Sequence, residues 1–106
     1  MALKTTKQPL RKEIKLPVVL YALGDLVRLE IVRQLDRSGE LACGNFLLDM
    51  PKSSLSHHFR VLREAGIVGT RANGTALINW LRTDDLEFLF PGLLPSVLKG
   101  IKRASK

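Results

Sequence analysis

The stretch KSSLSHHFRVLREAGIVGT, beginning at Lys52, places three serines just before two adjacent histidines. A hydroxyl beside an imidazole suggests a nucleophile with its base, and paired imidazoles suggest a metal site. A run of short polar side chains suggests instead a surface that reads another molecule. On a helix, neighbouring side chains diverge by about 100°, so Ser56 and His57 point apart and cannot act as a nucleophile–base pair. Zinc needs about four N, S or O ligands, yet the chain has one cysteine, Cys43, and no histidine beyond His57 and His58. It also lacks HExxH, a phosphate-cradling glycine loop and a convincing acid pair. No catalytic residue, metal or cofactor is therefore assigned. The third reading depends on the elements that carry these side chains.

A length of 106 residues, with 45% apolar and 25% charged side chains, suits one domain around one core. The formal charge of +7 sits at the two ends. Residues 1–16 hold Lys4, Lys7, Arg11, Lys12 and Lys15 against Glu13, and residues 99–106 hold Lys99, Lys102, Arg103 and Lys106 without an acid. Between them, eight basic residues face nine acidic ones. The expected organisation is a basic arm (1–16), a folded domain (17–98) and a basic tail (99–106). Such tails can neutralise phosphates without reading sequence, or simply keep the chain soluble. A single cysteine excludes an internal disulfide framework and fits a reducing compartment. The apolar run from Leu16 to Leu23 is too short to cross a bilayer. Apolar periodicity continues through DLVRLEIVRQL, so cleavage of that run as a signal peptide would remove core; a cytoplasmic location is expected.

Pro17 can open a short helix over residues 17–23, and Asp25 can cap a second that runs to Arg37. On the second, Val27, Leu29, Ile31, Val32 and Leu35 share an arc, with Glu30, Arg33, Gln34 and Arg37 opposite. Arg28 projects from the apolar arc, where a guanidinium must find a partner or escape at the helix end. A third short helix is expected over residues 42–50, with Cys43, Phe46, Leu47 and Met50 on one face and Cys43 as a small buried hydrophobe rather than a redox switch. A fourth begins near Ser53 and ends at Ala65-Gly66. Asn73-Gly74 between β-prone segments marks a tight hairpin, with Ile78 and Trp80 expected to pack on the core. Pro91 and Pro95 should divide the remaining helical pattern into two pieces. The fold class is mostly α with a β-hairpin wing: a winged helix-turn-helix.

On the fourth helix, Leu55, Phe59, Leu62 and Ala65 cover one arc, while Ser53, Ser56, His57, Arg60 and Glu64 cover the other. His58 falls among the apolar residues, where a hydrogen-bonded, partly buried role is expected. Serine and histidine are short enough to let a helix approach base edges in the major groove, and Arg60 can reach guanine or phosphate. From Lys52 to Arg71 the chain is locally basic, with Lys52, Arg60, Arg63 and Arg71 against Glu64.

ALGDLVRLEIVRQLDRSGELACGNF followed by SSLSHHFRVLREAGIVGTRANGTALINWLR resembles the ArsR/SmtB family of bacterial winged-helix repressors over about residues 22–82. The resemblance implies a homodimeric, sequence-specific regulator of transcription, probing double-stranded DNA at a palindromic operator and held at the nucleoid by it. It carries Lys52, Ser53, Ser56 and His57 over as groove contacts, and Arg71, Asn73 and Thr75 as contacts of a wing over residues 67–81. Arg28 matches an arginine found near phosphate or in a structural ion pair. The paired cysteines of arsenic sensors are missing, and the last helices offer Asp84, Asp85 and Glu87 but no histidine, so a family-type metal sensor is not expected. A small-molecule effector of unknown kind stays open as a partner, and no membrane is implied.

Apolar side chains in the first and last helices exceed what a small domain can cover: Leu20, Tyr21, Leu23, Leu86, Phe90, Leu93, Leu94, Val97, Leu98 and Ile101. A twofold dimer through them would set two reading helices about 34 Å apart, one DNA turn. The competing function is a winged-helix dimer that binds proteins and reads no DNA.

Overall fold

The structure, a computed structural model, describes residues 8–104, with side chains described up to residue 102. Its elements run α1 (Leu16–Leu23), α2 (Leu26–Ser38), β1 (Glu40–Ala42), α3 (Lys52–Ala65), β2 (Val68–Asn73), β3 (Ala76–Leu81), α4 (Thr83–Leu89) and α5 (Leu93–Ala104).

Helix α1 carries Pro17 in its first turn, where a missing N–H costs nothing, and stops at Gly24. Asp25 caps α2 as expected: its Oδ2 accepts from the N–H groups of Val27 at 2.9 Å and Arg28 at 3.1 Å. Ile31, Val32 and Leu35 of α2 meet Val19 and Ala22 of α1 and Phe59, Leu62 and Ala65 of α3 in one buried cluster.

The expected third helix over residues 42–50 does not form. Glu40–Ala42 pairs antiparallel with Ile78–Trp80, which makes a three-stranded sheet in the order β1-β3-β2, and only a 3-10 turn at Cys43–Asn45 follows. Strand pairing satisfies these backbone groups against β3, an option that local periodicity does not reveal. Phe46 still reaches the core, edge-on to Phe59 at 5.0 Å between centroids, but Leu47 faces solvent. Cys43 is half-buried and accepts from Asn79 Nδ2 at 3.2 Å.

In the hairpin, Asn73 pairs with Ala76, leaving Gly74 and Thr75 as the two turn residues. Gly74 has φ +64°, and no described non-glycine residue has positive φ, so the turn is of the type with glycine at its first central position. The turn is thus one residue further along than Asn73-Gly74. The inward face of β3 is also the reverse of the expected one. Asn79 is fully buried and accepts from Thr70 Oγ1 at 2.8 Å, while Ile78 and Trp80 lie on the opposite face, outside the core cluster. Trp80 lies over Gly69, where a Cβ would fall 2.4 Å from the indole. Glycine there lets the ring cover the strand.

The arm is not separate from Gln8 onward. Gln8 pairs its amide with both backbone groups of Thr70 on the sheet edge, Arg82 donates to the Pro9 carbonyl at 2.6 Å, and Ile14 is buried. Arg11 and Arg82 share the Asp85 carboxylate, so the segment is clamped to the start of α4. Lys4 and Lys7 lie outside the described residues. At the other end α5 continues through the expected tail to Ala104; residues 105 and 106 lie outside the described residues. The break between α4 and α5 falls at Pro91-Gly92, and Pro95 is accommodated in the first turn of α5. No described helix is long and apolar enough to cross a membrane.

Candidate nucleic-acid interface

Helix α3 is fixed by one side and presents the other. Phe59, Leu62 and Ala65 are buried and Leu55 packs against the core, as their spacing predicts, with Val61 beside them. Lys52, Ser53, Ser56, His57 and Arg60 are all exposed. His57 Nδ1 and Arg60 Nη2 lie 3.3 Å apart, one turn along the same face. The helix starts after Pro51 without a side-chain cap, so its first N–H groups remain open to a partner.

His58 belongs to the other side. Its Nδ1 lies 3.0 Å from Arg28 Nη1 and 3.7 Å from Asp25 Oδ2. Arg28 also donates from Nε to the Ala22 carbonyl at 2.6 Å and from Nη2 to the Tyr21 carbonyl at 3.4 Å. With 6% of its surface exposed, Arg28 is committed inside the subunit. That corrects its assignment to DNA: the α1 carbonyls and the imidazole offer a buried guanidinium the partners it requires. Burial alone would raise the Asp25 carboxyl, but the N–H groups of Arg28 and Val27 and the charges of Arg28 and His58 hold it below the usual range.

Gln34, placed on the outer arc of α2 by its phase, is buried. Its Oε1 accepts from Leu47 N at 2.9 Å and its Nε2 donates to Leu47 O at 3.1 Å, which anchors the loop leading into α3. Helical phase carries no signal for a loop folding back over the polar side.

On the wing, Asn73 and Thr75 are exposed at the tip. Arg71 is exposed too, but engaged: Nη1 and Nη2 each donate to Glu40 at 3.0 Å. The hydrogen bonds and charge of Arg71 hold the Glu40 carboxyl below its ordinary pKa, and Glu40 raises that of Arg71.

The apolar surface divides. Leu23, Leu86 and Leu94 are buried in the subunit's own core, which corrects their assignment to a dimer interface. Tyr21 and Leu20 are 66% and 50% exposed, with Leu16 and Val18 beside them; Phe90, Leu93, Val97, Leu98 and Ile101 are half-buried. Leu26, which the spacing did not single out, is exposed at the first turn of α2. It borders an apolar groove of about 460 Å³ with Leu23, Leu29, Val97 and Ile101.

A winged helix-turn-helix with an open polar face on α3 is the arrangement of a DNA-binding regulator of transcription. Residues 25–70 match the family described as bacterial regulatory protein, arsR family. The helix-turn-helix-type transcriptional regulator YceK of Bacillus subtilis is 35% identical over 100 residues, covering 92% of this chain and 95% of YceK. Reduced HlyU from Vibrio cholerae superposes with a TM-score of 0.58 at 31% identity, over 70% of this chain and 86% of HlyU. The transcriptional regulator HlyU from Vibrio vulnificus does so with a TM-score of 0.59 at 30% identity, over 76% and 84%. The chain belongs to the arsR family of bacterial regulatory proteins.

Proposed function

We propose that the chain acts as a homodimeric, sequence-specific repressor at a palindromic operator. Lys52, Ser53, Ser56, His57 and Arg60 enter the major groove, and Arg71, Asn73 and Thr75 of the wing meet the backbone. The observation that carries this reading is the division of α3: its apolar side is locked in the core, and its other side is short-chained, polar and open. Short side chains allow the close approach that base-edge contacts require. Arg28 is left out of the contact set, since its donors are already used within the subunit.

The dimer is inferred from the exposed apolar side chains of α1 and the groove bordered by Leu26, a combination that a lone subunit leaves in water. A twofold arrangement through α1 and α5 places two α3 helices about 34 Å apart, in successive major grooves.

Selection of binding sites from random duplex DNA tests the reading. The expected product is a two-fold symmetric sequence with half-sites about 10 base pairs apart, centre to centre. Failure to enrich any sequence, with the dimer intact, would favour the protein-binding alternative.

A further inference from the structure

Arg71 is the single basic residue between Ile67 and Leu81, so it alone brings positive charge to the wing. Both its terminal nitrogens are occupied, each donating at 3.0 Å to a different oxygen of Glu40. A phosphate would take the same fork. The pair reaches across the central strand: Ile78 lies opposite Arg71 and Trp80 opposite Glu40, and the Trp80 centroid sits 5.6 Å from the Arg71 guanidinium carbon. Both partners are about half exposed, at 50% and 53%, so the contact is open to exchange.

We propose that Glu40 is a built-in phosphate mimic, which sets how strongly the wing holds the DNA backbone irrespective of sequence. The proposal rests on the reading of Arg71 as the wing's phosphate contact. Glu40 is the first residue of β1, in the connection between α2 and α3, and lies outside the exposed face of α3. When a duplex arrives, Arg71 exchanges one anionic fork for another, and the released carboxylate faces a phosphate of like charge. The wing then adds little net counterion release, the term that drives binding to any duplex. Weak background binding matters for a regulator that must find few sites among many.

The test is equilibrium binding of the full chain to a random-sequence duplex of about 30 base pairs, roughly three helical turns. Wild type, Glu40→Gln, Arg71→Ala and the double variant are titrated between about 50 and 200 mM salt. Glu40→Gln is expected to tighten binding about three- to tenfold at the lower salt and to steepen the salt slope by about 0.9. In the Arg71→Ala background the same change should tighten binding by less, because it then relieves only the repulsion between carboxylate and phosphate and frees no guanidinium. Unchanged binding by Glu40→Gln, or equal tightening with Arg71 removed, overturns the proposal while leaving the wing contact standing. Arg71→Ala that binds as tightly as wild type removes the wing contact, and the proposal with it.

Discussion

Arg28 Nη1 lies 3.0 Å from His58 Nδ1, and the same guanidinium holds the last carbonyls of α1. One buried side chain on α2 thus ties the helix proposed for dimerisation to the helix that faces DNA. Arg28→Ala would leave a carbonyl and an imidazole buried without their donor, at a cost of about 2–4 kcal/mol. Urea unfolding should show the midpoint fall sharply. A surface phosphate contact would behave otherwise, weakening DNA binding with stability nearly unchanged.

Gln34 offers a second structural test. Gln34→Ala removes both bonds to Leu47 and should cost about 1–3 kcal/mol. Amide exchange should quicken at Leu47 N, the group that Gln34 Oε1 accepts from. Unaltered exchange there would mean that the loop into α3 is held by other contacts.

The clamp on the N-terminal segment should be lost in acid. Hydrogen bonds from Arg11, and then Arg82, outweigh burial and hold the Asp85 carboxyl below its usual pKa. A depressed carboxyl contributes stability above its unfolded pKa of about 3.9, and that contribution disappears as pH falls through the folded value. Asp85→Asn should lower stability at pH 7 by about 1 kcal/mol and flatten the wild-type decline below about pH 4. A decline of equal steepness in the variant would place the acid sensitivity elsewhere.

Leu20 is half exposed on α1, so Leu20→Asp should leave the subunit folded. Placed in an apolar interface, the charge should shift the self-association constant by at least about a hundredfold, equivalent to about 3 kcal/mol. Sedimentation at several concentrations reads the shift; identical behaviour of variant and wild type would move the interface off α1.

Much of the arrangement was legible in the chain itself. The spacing of Leu55, Phe59, Leu62 and Ala65 oriented α3, because helical phase and burial agree wherever an amphipathic helix packs on one core. Asp25 announced the start of α2 because capping is local chemistry. What escaped was non-local. Glu40–Ala42 became a strand through pairing with β3, Asn79 rather than Trp80 turned inward because Thr70 and Leu41 satisfy its amide, and Gln34 was buried by a returning loop. Leu23, Leu86 and Leu94 read as surplus surface, since apolar spacing does not say which neighbour covers a side chain. Within the candidate interface, the exposed set on α3 followed from phase, whereas the engagement of Arg71 by Glu40 needed strand register.

The central claim is that the open side of α3 distinguishes one DNA sequence from another. Its most direct test compares wild type, His57→Ala and a Ser56→Ala, His57→Ala, Arg60→Ala variant on a selected operator and on random duplex. The expected result is a loss of about 1–3 kcal/mol in preference for His57→Ala and near-complete loss of preference in the triple variant, with binding to random duplex far less affected. Undiminished preference for the operator in the triple variant would contradict the account.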